Sequence, residues 1–275
     1  MSVLSYAQIL ARVEPIAAQA ASLVMRGYRR GTAINKKGAI DLVTEFDLAS
    51  EALLTRELSS AFPGYAVVGE EANSGRGRVG APAGRAFFVD PIDGTTNFAH
   101  GHPFFCVSVG LCEDGVPVLG VVVAPALGVT WLGAAGLGMR RNGEPTAVSG
   151  RAALLDAVCA TGFGYDVVGN ADDNIREFDG VQRAARAVRR CGAAALDLCL
   201  VSDGTYDAYW EYMLQPWDAA AGAALVRAAG GHVTAVDGGA YDLCSGAVLA
   251  SNGLVHGELS ALLMDLRCGS PVRHR

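Results

Sequence analysis

Apolar residues recur at helical spacing through the first sixty positions of the chain. Residues 9–24 carry an apolar residue every three or four positions, which predicts a long first helix ending near Gly27. A second run of the same kind over residues 48–62 predicts another helix. Thr44 is placed to cap its start, and Pro63-Gly64 to end it.

Short apolar runs follow, and they predict strands. They cover residues 65–68, 86–89, 104–112, 116–123 and 129–134. Asp114-Gly115 and Asn142-Gly143 are dipeptides typical of hairpin turns. Residues 72–85, rich in Gly, Arg and Pro, predict a loop between the first two strands.

The pattern changes after about residue 150. Helices are predicted over residues 170–190, 193–201, 217–229 and 256–267, and strands over 157–161, 208–210, 232–236 and 247–250. Alternating blocks of helices and strands predict a layered α/β fold. We expect two halves, residues 1–150 and 151–275, packed as one compact unit.

Composition excludes several classes of protein. The chain has 275 residues, of which 51% are hydrophobic, and its net charge is −6. It has enough apolar residues for a large core, and it lacks the basic stripe of a nucleic-acid binder. No apolar stretch is long enough for a membrane span, and the first twenty residues do not predict a signal peptide. Seven cysteines without a C-x-x-C pair indicate free thiols in a reducing cytoplasm.

One glycine pattern is better explained as a loop than as a binding site. Gly75, Gly77 and Gly80 match G-x-G-x-x-G, the fingerprint of dinucleotide-binding folds. That fingerprint needs a helix to begin inside the turn, and the following Ala-Pro-Ala-Gly is poor helix material. We predict a surface loop here.

The main candidate chemistry lies in the acidic segment that follows the strand at 86–89. Asp90 ends that strand, and Pro91 predicts a turn that brings Asp93 back beside it. Gly94 has no Cβ, so a phosphate can approach its backbone, and Thr95 adds a hydroxyl and an N–H group. Two close carboxylates favour a bound cation, and oxygen ligands favour Mg²⁺.

Each acidic motif has an ordinary structural explanation when it is taken alone. The Asp-Pro-x-Asp-Gly segment fits a surface turn, Gly69-Glu70-Glu71 fits a solvated loop, and Asp218, at the start of a late helix, fits a helix cap. Together, however, Gly69-Glu70-Glu71, residues 90–98 and Trp217-Asp218 with the small residues to Gly222 resemble the inositol monophosphatase family. Residues 41–44 with Asp47 match a fourth, weaker element of that family.

The resemblance implies a layered αβαβα sandwich of the inositol monophosphatase and sugar phosphatase type, a Mg²⁺-dependent phosphomonoesterase acting on a small phosphorylated polyol, and a homodimer. It implies two or three Mg²⁺ ions, whose ligands would be Glu70, Asp90, the carbonyl of Ile92, Asp93 and Asp218. Glu70, Asp93 and Thr95 would be catalytic, with Thr95 and an acidic partner polarising the attacking water. The substrate would meet Gly94, Thr95, Gly192, Ala193, Ala194, Glu211 and Asp218.

Several assignments stay open at this point. Lys36, Asp47 and Glu71 are further candidates for the site, and Lys36 is equally well explained as a solvated lysine. His100 and His102 are interpreted as loop histidines, and Cys191 as a pocket or core residue. The mechanism that the resemblance implies needs no imidazole, and Cys191 has no adjacent base in the sequence.

The substrate also has alternatives. Ala193 stands where the family often has Thr, which weakens any inference about the exact substrate. Thr96 resembles the inositol branch, since nucleotide-directed relatives tend to have Lys there. The alternatives are fructose 1,6-bisphosphate, histidinol phosphate and 3′-phosphoadenosine 5′-phosphate. An alternative of another class is an interaction protein of the transcription machinery, as the resemblance to some bacterial members implies.

Overall fold

The computed structural model describes residues 4–30, 34–36, 42–164 and 173–269. Its helices are α1 (Tyr6–Val24), α2 (Glu45–Ala61), α3 (Glu70–Asn73), α4 (Thr95–Ala99), α5 (Ile175–Ala184), α6 (Ala194–Ser202), α7 (Pro216–Ala228) and α8 (His256–Arg267). Its strands are β1 (Ile34–Lys36), β2 (Leu42–Thr44), β3 (Ala66–Gly69), β4 (Arg85–Asp93), β5 (Cys106–Glu113), β6 (Val116–Ala124), β7 (Val129–Ala134), β8 (Gly138–Arg141), β9 (Glu144–Thr146), β10 (Val158–Thr161), β11 (Ala187–Arg189), β12 (Ala208–Glu211), β13 (His232–Thr234) and β14 (Val248–Ser251).

A seven-stranded sheet lies between helices α1 and α2 on one face and helices α6 and α7 on the other. Its order is β3-β4-β5-β6-β7-β8-β9, and only β3 and β4 are parallel among the pairs nearest the acidic motif. Alternate side chains of β4 enter different cores: Phe87 and Val89 pack with α1 and α2, whereas Ala86 and Phe88 pack with α6 and α7. Burial on both faces explains why this strand is a continuous apolar run in the sequence.

A five-stranded sheet, in the order β11-β10-β12-β14-β13, completes the architecture. Tyr209 and Ala250 face α6 and α7, while Trp210 and Leu249 face α5 and α8. The layers therefore run helix, sheet, helix, sheet, helix. This mixed α/β sandwich confirms the predicted fold class. No helix in the described ranges has the length and apolar character needed to cross a membrane.

Helix α7 lies against the first sheet at backbone distance. Gly110 of β5 and Gly120 of β6 are directly paired, and α7 crosses above them. A Cβ at Gly110 would stand 2.5 Å from the Ala221 nitrogen, too close for any real side chain. The small residues that follow Asp218 on α7 meet these glycines, so the helix that carries Asp218 has no space to shift toward the sheet.

Two predicted elements differ from the observed ones. The helix predicted over residues 170–190 is α5 followed by the strand β11, because Val188 pairs with Cys159 at the edge of the second sheet. Residues 170–172 of that prediction lie outside the described residues. The turn predicted at Pro91 is also wrong, since β4 continues to Asp93.

Both predicted hairpin dipeptides occupy turns between paired strands, and the loop prediction for the glycine pattern at residues 75–80 is confirmed. All seven cysteines are free thiols. A cytoplasmic location stays a prediction, as does the division of the chain near residue 150.

Candidate active site

A bulge in β4, rather than a turn, positions the first acidic motif. Asp90 pairs with Ser108 and Asp93 with Cys106, so Pro91 and Ile92 together face the single residue between those partners. Proline has no N–H to donate to a strand ladder and is accommodated at such bulges. The Ile92 N–H donates to Asp90 Oδ1 at 2.9 Å, which fixes the side chain of Asp90.

The acidic residues of three separate motifs lie close enough to repel one another. Burial raises the pKa of Asp90, and Glu70, Asp93 and Asp218 raise it further. Burial raises the pKa of Asp93 to about 7, although hydrogen bonds from the Ala195 N–H and Cys106 oppose the shift. Burial and Glu70 likewise raise the pKa of Asp218. Such mutual destabilisation is relieved when a cation binds between the carboxylates.

Thr95 is tied to Asp47 at the start of α4. Its hydroxyl lies 3.1 Å from Asp47 Oδ1 and 3.0 Å from the Ile92 carbonyl oxygen, so it can donate its proton to either acceptor. Asp47 is itself buried, and its other oxygen accepts the Thr44 N–H at 2.8 Å. Thr44 is the N-cap of α2, as predicted, and Asp47 completes its capping box.

The second acid of the bulge joins the first sheet to the start of α6. Asp93 Oδ1 accepts the Ala194 N–H at 3.2 Å, and Oδ2 accepts the Ala195 N–H at 2.7 Å. Gly94 has the left-handed φ of +89° that favours glycine, and a Cβ there would stand 3.3 Å from the Gly192 carbonyl oxygen. The segment 192–194 therefore lies directly beside Gly94.

Glu211 and Asp218 occupy the far side of the same region. Glu211 ends β12 and accepts a hydrogen bond from the Tyr209 hydroxyl. Burial raises the pKa of Glu211 to about 7, Tyr209 lowers it, and Asp93 raises it further. Asp218 Oδ2 accepts the Gln215 N–H at 2.7 Å, so Asp218 caps α7 as well as facing the other acids.

The remaining candidates are placed as follows. Glu71 lies on α3 beside Glu70, and its N–H is bonded to Glu51. The backbone of Lys36 belongs to β1, and its side chain is outside the described part of the structure, as is all of Asp41. The Phe104 N–H donates to His102 Nδ1 at 3.4 Å, which is consistent with a loop histidine. Cys191 is half-buried, and burial raises the pKa of its thiol.

Two buried acids near the site were not found from the sequence. Asp197 on α6 is 1% exposed, and its Oδ1 lacks a hydrogen-bond partner among the described residues. Burial raises its pKa, and Glu211 and Asp93 raise it further. In the sequence, Asp197 is the single charged residue of the apolar helix predicted over residues 193–201, and that charge was the signal that could have pointed to it. Glu51 on α2 is also buried, and it resembles an ordinary helix-surface acid in the sequence.

The donor set fits a hard divalent cation in its chemistry. Within the described ranges, no three His, Cys, Asp or Glu side chains converge as a complete metal cluster. The available donors, however, are all oxygens: the carboxylates of Glu70, Asp90, Asp93 and Asp218, whose mutual repulsion a cation would relieve, and the Ile92 carbonyl. Oxygen donors of this kind suit Mg²⁺ rather than a softer metal.

Comparison with known proteins gives a consistent result. Residues 6–270 match the profile of the inositol monophosphatase family. An inositol-1-monophosphatase of Synechocystis sp. is 43% identical over 231 residues, which cover 84% of this chain and 79% of that protein. A protein of Pseudomonas aeruginosa named Nus factor SuhB is 38% identical over 86% of this chain and 88% of its own length.

Solved structures agree with the sequence comparisons. An inositol monophosphatase from Anabaena (Nostoc) sp. superposes with a TM-score of 0.84 at 36% identity, covering 96% of both chains. A Thermotoga maritima IMPase gives a TM-score of 0.83 at 33% identity, covering 94% of this chain and 97% of the other.

Proposed function

The chain belongs to the inositol monophosphatase family, and on that premise we propose that it hydrolyses the phosphate ester of a small polyol, with inositol monophosphate as the first candidate substrate. The observation that carries the proposal is the close approach of four carboxylates next to the Thr95–Asp47 pair: in addition to burial, Glu70 raises the pKa of Asp90, Asp93 and Asp218. The names of the similar inositol-1-monophosphatases support the choice of substrate.

The acidic group would hold the metal that the reaction requires. We assign Glu70, Asp90, the Ile92 carbonyl, Asp93 and Asp218 to two or three Mg²⁺ ions. When bound, Mg²⁺ lowers the pKa of a water and neutralises the charge that develops at phosphorus and on the departing oxygen. Asp93 is held by two backbone N–H groups, so its carboxylate is oriented before any ion arrives.

Thr95 and Asp47 would orient and deprotonate the attacking water. If the Thr95 hydroxyl donates to Asp47, its lone pairs remain available to accept a hydrogen bond from the water. As the water attacks phosphorus, its proton passes to Thr95 Oγ1 while the Thr95 proton passes to Asp47. A proton acceptor at this position contributes about 10²–10⁴-fold to the rate. Glu70 is a further acceptor near the same site.

Gly94 and the segment 192–194 would surround the phosphate, with the N–H groups of Gly94 and Thr95 as donors. Glu211 would accept hydrogen bonds from the hydroxyl groups of the leaving alcohol, and the Tyr209 hydroxyl, which also donates to it, fixes the direction of its carboxylate. Ala193 supplies no hydroxyl to the pocket. This favours tolerance of more than one polyol, and fructose 1,6-bisphosphate, histidinol phosphate and 3′-phosphoadenosine 5′-phosphate remain alternative substrates.

A second candidate function is binding to the transcription machinery. It is favoured by the relative from Pseudomonas aeruginosa whose name is Nus factor SuhB. An Asp93→Asn variant separates the two functions. Capture of RNA polymerase components that survives the loss of phosphatase activity supports the second role. We further propose that the protein is a cytoplasmic homodimer.

The direct test is phosphate release from a panel of inositol, sugar and nucleotide phosphates, with Mg²⁺ and with excess chelator. We expect inositol monophosphates to be among the best substrates, and activity to disappear with chelator and return with added Mg²⁺. Full activity in excess chelator contradicts the metal assignment. Absence of activity on every phosphomonoester contradicts the proposed function.

A further inference from the structure

One face of α2 contacts β4, α3 and α4, the three segments around the proposed metal ligands Glu70, Asp90 and Asp93. Asp47, Ser50 and Glu51 are 1%, 0% and 6% exposed, and their spacing puts them on a single side of the helix. Asp47 accepts from Thr95, and the Ser50 hydroxyl donates to the Pro91 carbonyl at 3.2 Å. Helix α2 thus contacts both the bulge of β4 and the start of α4.

Glu51 makes the corresponding contact with α3. Its Oε2 accepts the Glu71 N–H at 2.7 Å, and its Oε1 accepts the Ala72 N–H at 2.8 Å. These N–H groups belong to the first turn of a helix, where no backbone carbonyl is available to them. The N-cap of α3 is Gly69, which has no side chain to satisfy them. A carboxylate from another helix therefore replaces the missing cap.

Gly69 is required for this arrangement by space, not by backbone conformation. Its φ of −106° is accessible to any residue. A Cβ at this position would overlap the carboxylate of Glu51. The glycine of the Gly69-Glu70-Glu71 motif therefore leaves room for Glu51. This connects two positions eighteen residues apart that the sequence alone does not link.

We propose that Glu51 is a positioning residue for Glu70: it fixes α3 on α2 and so sets where the Glu70 carboxylate stands relative to Asp90. Both carboxylate oxygens of Glu51 are used by the backbone of α3, so we assign it no direct role in binding metal or substrate. The inference rests on the proposed function only in giving Glu70 a ligand role. The local contact between Glu51 and α3 can be tested without any substrate.

The test compares Glu51→Gln with Glu57→Gln. Glutamine keeps the size of Glu51 but puts an NH₂ donor against one of the two N–H groups, which breaks that hydrogen bond. Glu57 lies on the same helix, is 37% exposed and pairs with the neighbouring Arg56, so its variant removes the same charge without touching α3. In metal-free protein we expect amide hydrogen exchange at Glu71 and Ala72 to accelerate in Glu51→Gln alone.

Metal binding supplies the second measurement. Residues that orient metal ligands typically change metal affinity or activity by about 10–100-fold when they are replaced. We expect calorimetry to give a Mg²⁺ affinity lower by about that factor in Glu51→Gln, and a matching rise in the Mg²⁺ concentration needed for half-maximal activity. Gly69→Ala displaces the same carboxylate without altering it, so it should reproduce both effects if Glu51→Gln does not fold.

Unchanged amide exchange at Glu71 and Ala72 in both Glu51→Gln and Gly69→Ala overturns the proposal. So does an equal loss of Mg²⁺ affinity in Glu57→Gln, because the effect would then be one of general charge. If the wild-type protein hydrolyses no phosphomonoester, the proposed function fails, and the exchange measurement still decides whether Glu51 holds α3. If the wild type is active and Glu51→Gln matches it in Mg²⁺ affinity, only the positioning role fails.

Discussion

Replacement of Thr95 by valine tests the chemical step most directly. Valine keeps the branched shape at this buried position but removes the hydroxyl that lies 3.1 Å from Asp47 and 3.0 Å from the Ile92 carbonyl. We expect kcat to fall by about 10²–10⁴-fold, since the water loses both its orienting group and its route to Asp47. KM should change less, because the lost interaction acts mainly in the transition state.

The same substitution has a separate cost in stability. A hydrogen bond to a charged group contributes about 1.5–3 kcal/mol, and the cost appears in full when the remaining partner stays buried. For a chain of this size each kcal/mol lowers the melting temperature by about 2–4 °C. We therefore expect Thr95→Val to melt roughly 3–12 °C below the wild type.

The assay measures phosphate release from an inositol monophosphate at saturating Mg²⁺, alongside thermal melting followed by circular dichroism. Thr96→Val is the matched control, because Thr96 is the adjacent, exposed threonine on α4. We expect the control to keep kcat within about threefold of the wild type. A folded Thr95→Val protein with kcat in that same range would refute the assignment of Thr95 and transfer the role to Glu70 or Glu71.

Three further predictions concern specificity and stability. Glu211→Gln should lower kcat/KM for inositol phosphates by about tenfold or more and spare an aryl phosphate without ring hydroxyls; equal losses on both would exclude a role in substrate choice. Gly110→Ala should lower the free energy of unfolding by about 1–3 kcal/mol, measured by denaturant titration, because the new methyl group meets the Ala221 backbone; an unchanged midpoint contradicts this packing. Burial lowers the pKa of His256 below its ordinary 6.5, so protonation favours the unfolded chain, and stability should fall as pH drops below about 6.5. Melting temperatures from pH 5 to 8 should show that fall in the wild type relative to His256→Gln; parallel curves contradict it.

The long helices could be predicted from the sequence because their signals are local. The apolar periodicity of α1 and the Thr44 cap of α2 lie within the elements that they define. The end of the helix predicted over residues 170–190 was wrong because Val188 pairs with Cys159, 29 residues earlier in the chain. A pairing at that distance leaves no mark on local periodicity.

The candidate site shows the same division. The motifs around Glu70, Asp90 and Asp218 could be found because each combines acids with residues of special geometry. The bulge at Pro91 could not, since the same dipeptide also fits a turn. Glu51 was missed because an acid on an amphipathic helix is usually solvated, and only the fold places two N–H groups against it. The sequence does not show which distant residues Pro91 and Glu51 contact in the folded protein.

The glycine pair under α7 makes the two sides of the site unequal in stiffness. On one side, Asp218 lies on α7, whose backbone packs directly against Gly110 and Gly120. The position of Asp218 is therefore fixed relative to the first sheet. On the other side, Glu70 lies on the short helix α3, whose first N–H groups are bound by the carboxylate of Glu51. The Glu70 side of the site therefore depends on one side-chain contact, whereas the Asp218 side depends on packing of backbone against backbone.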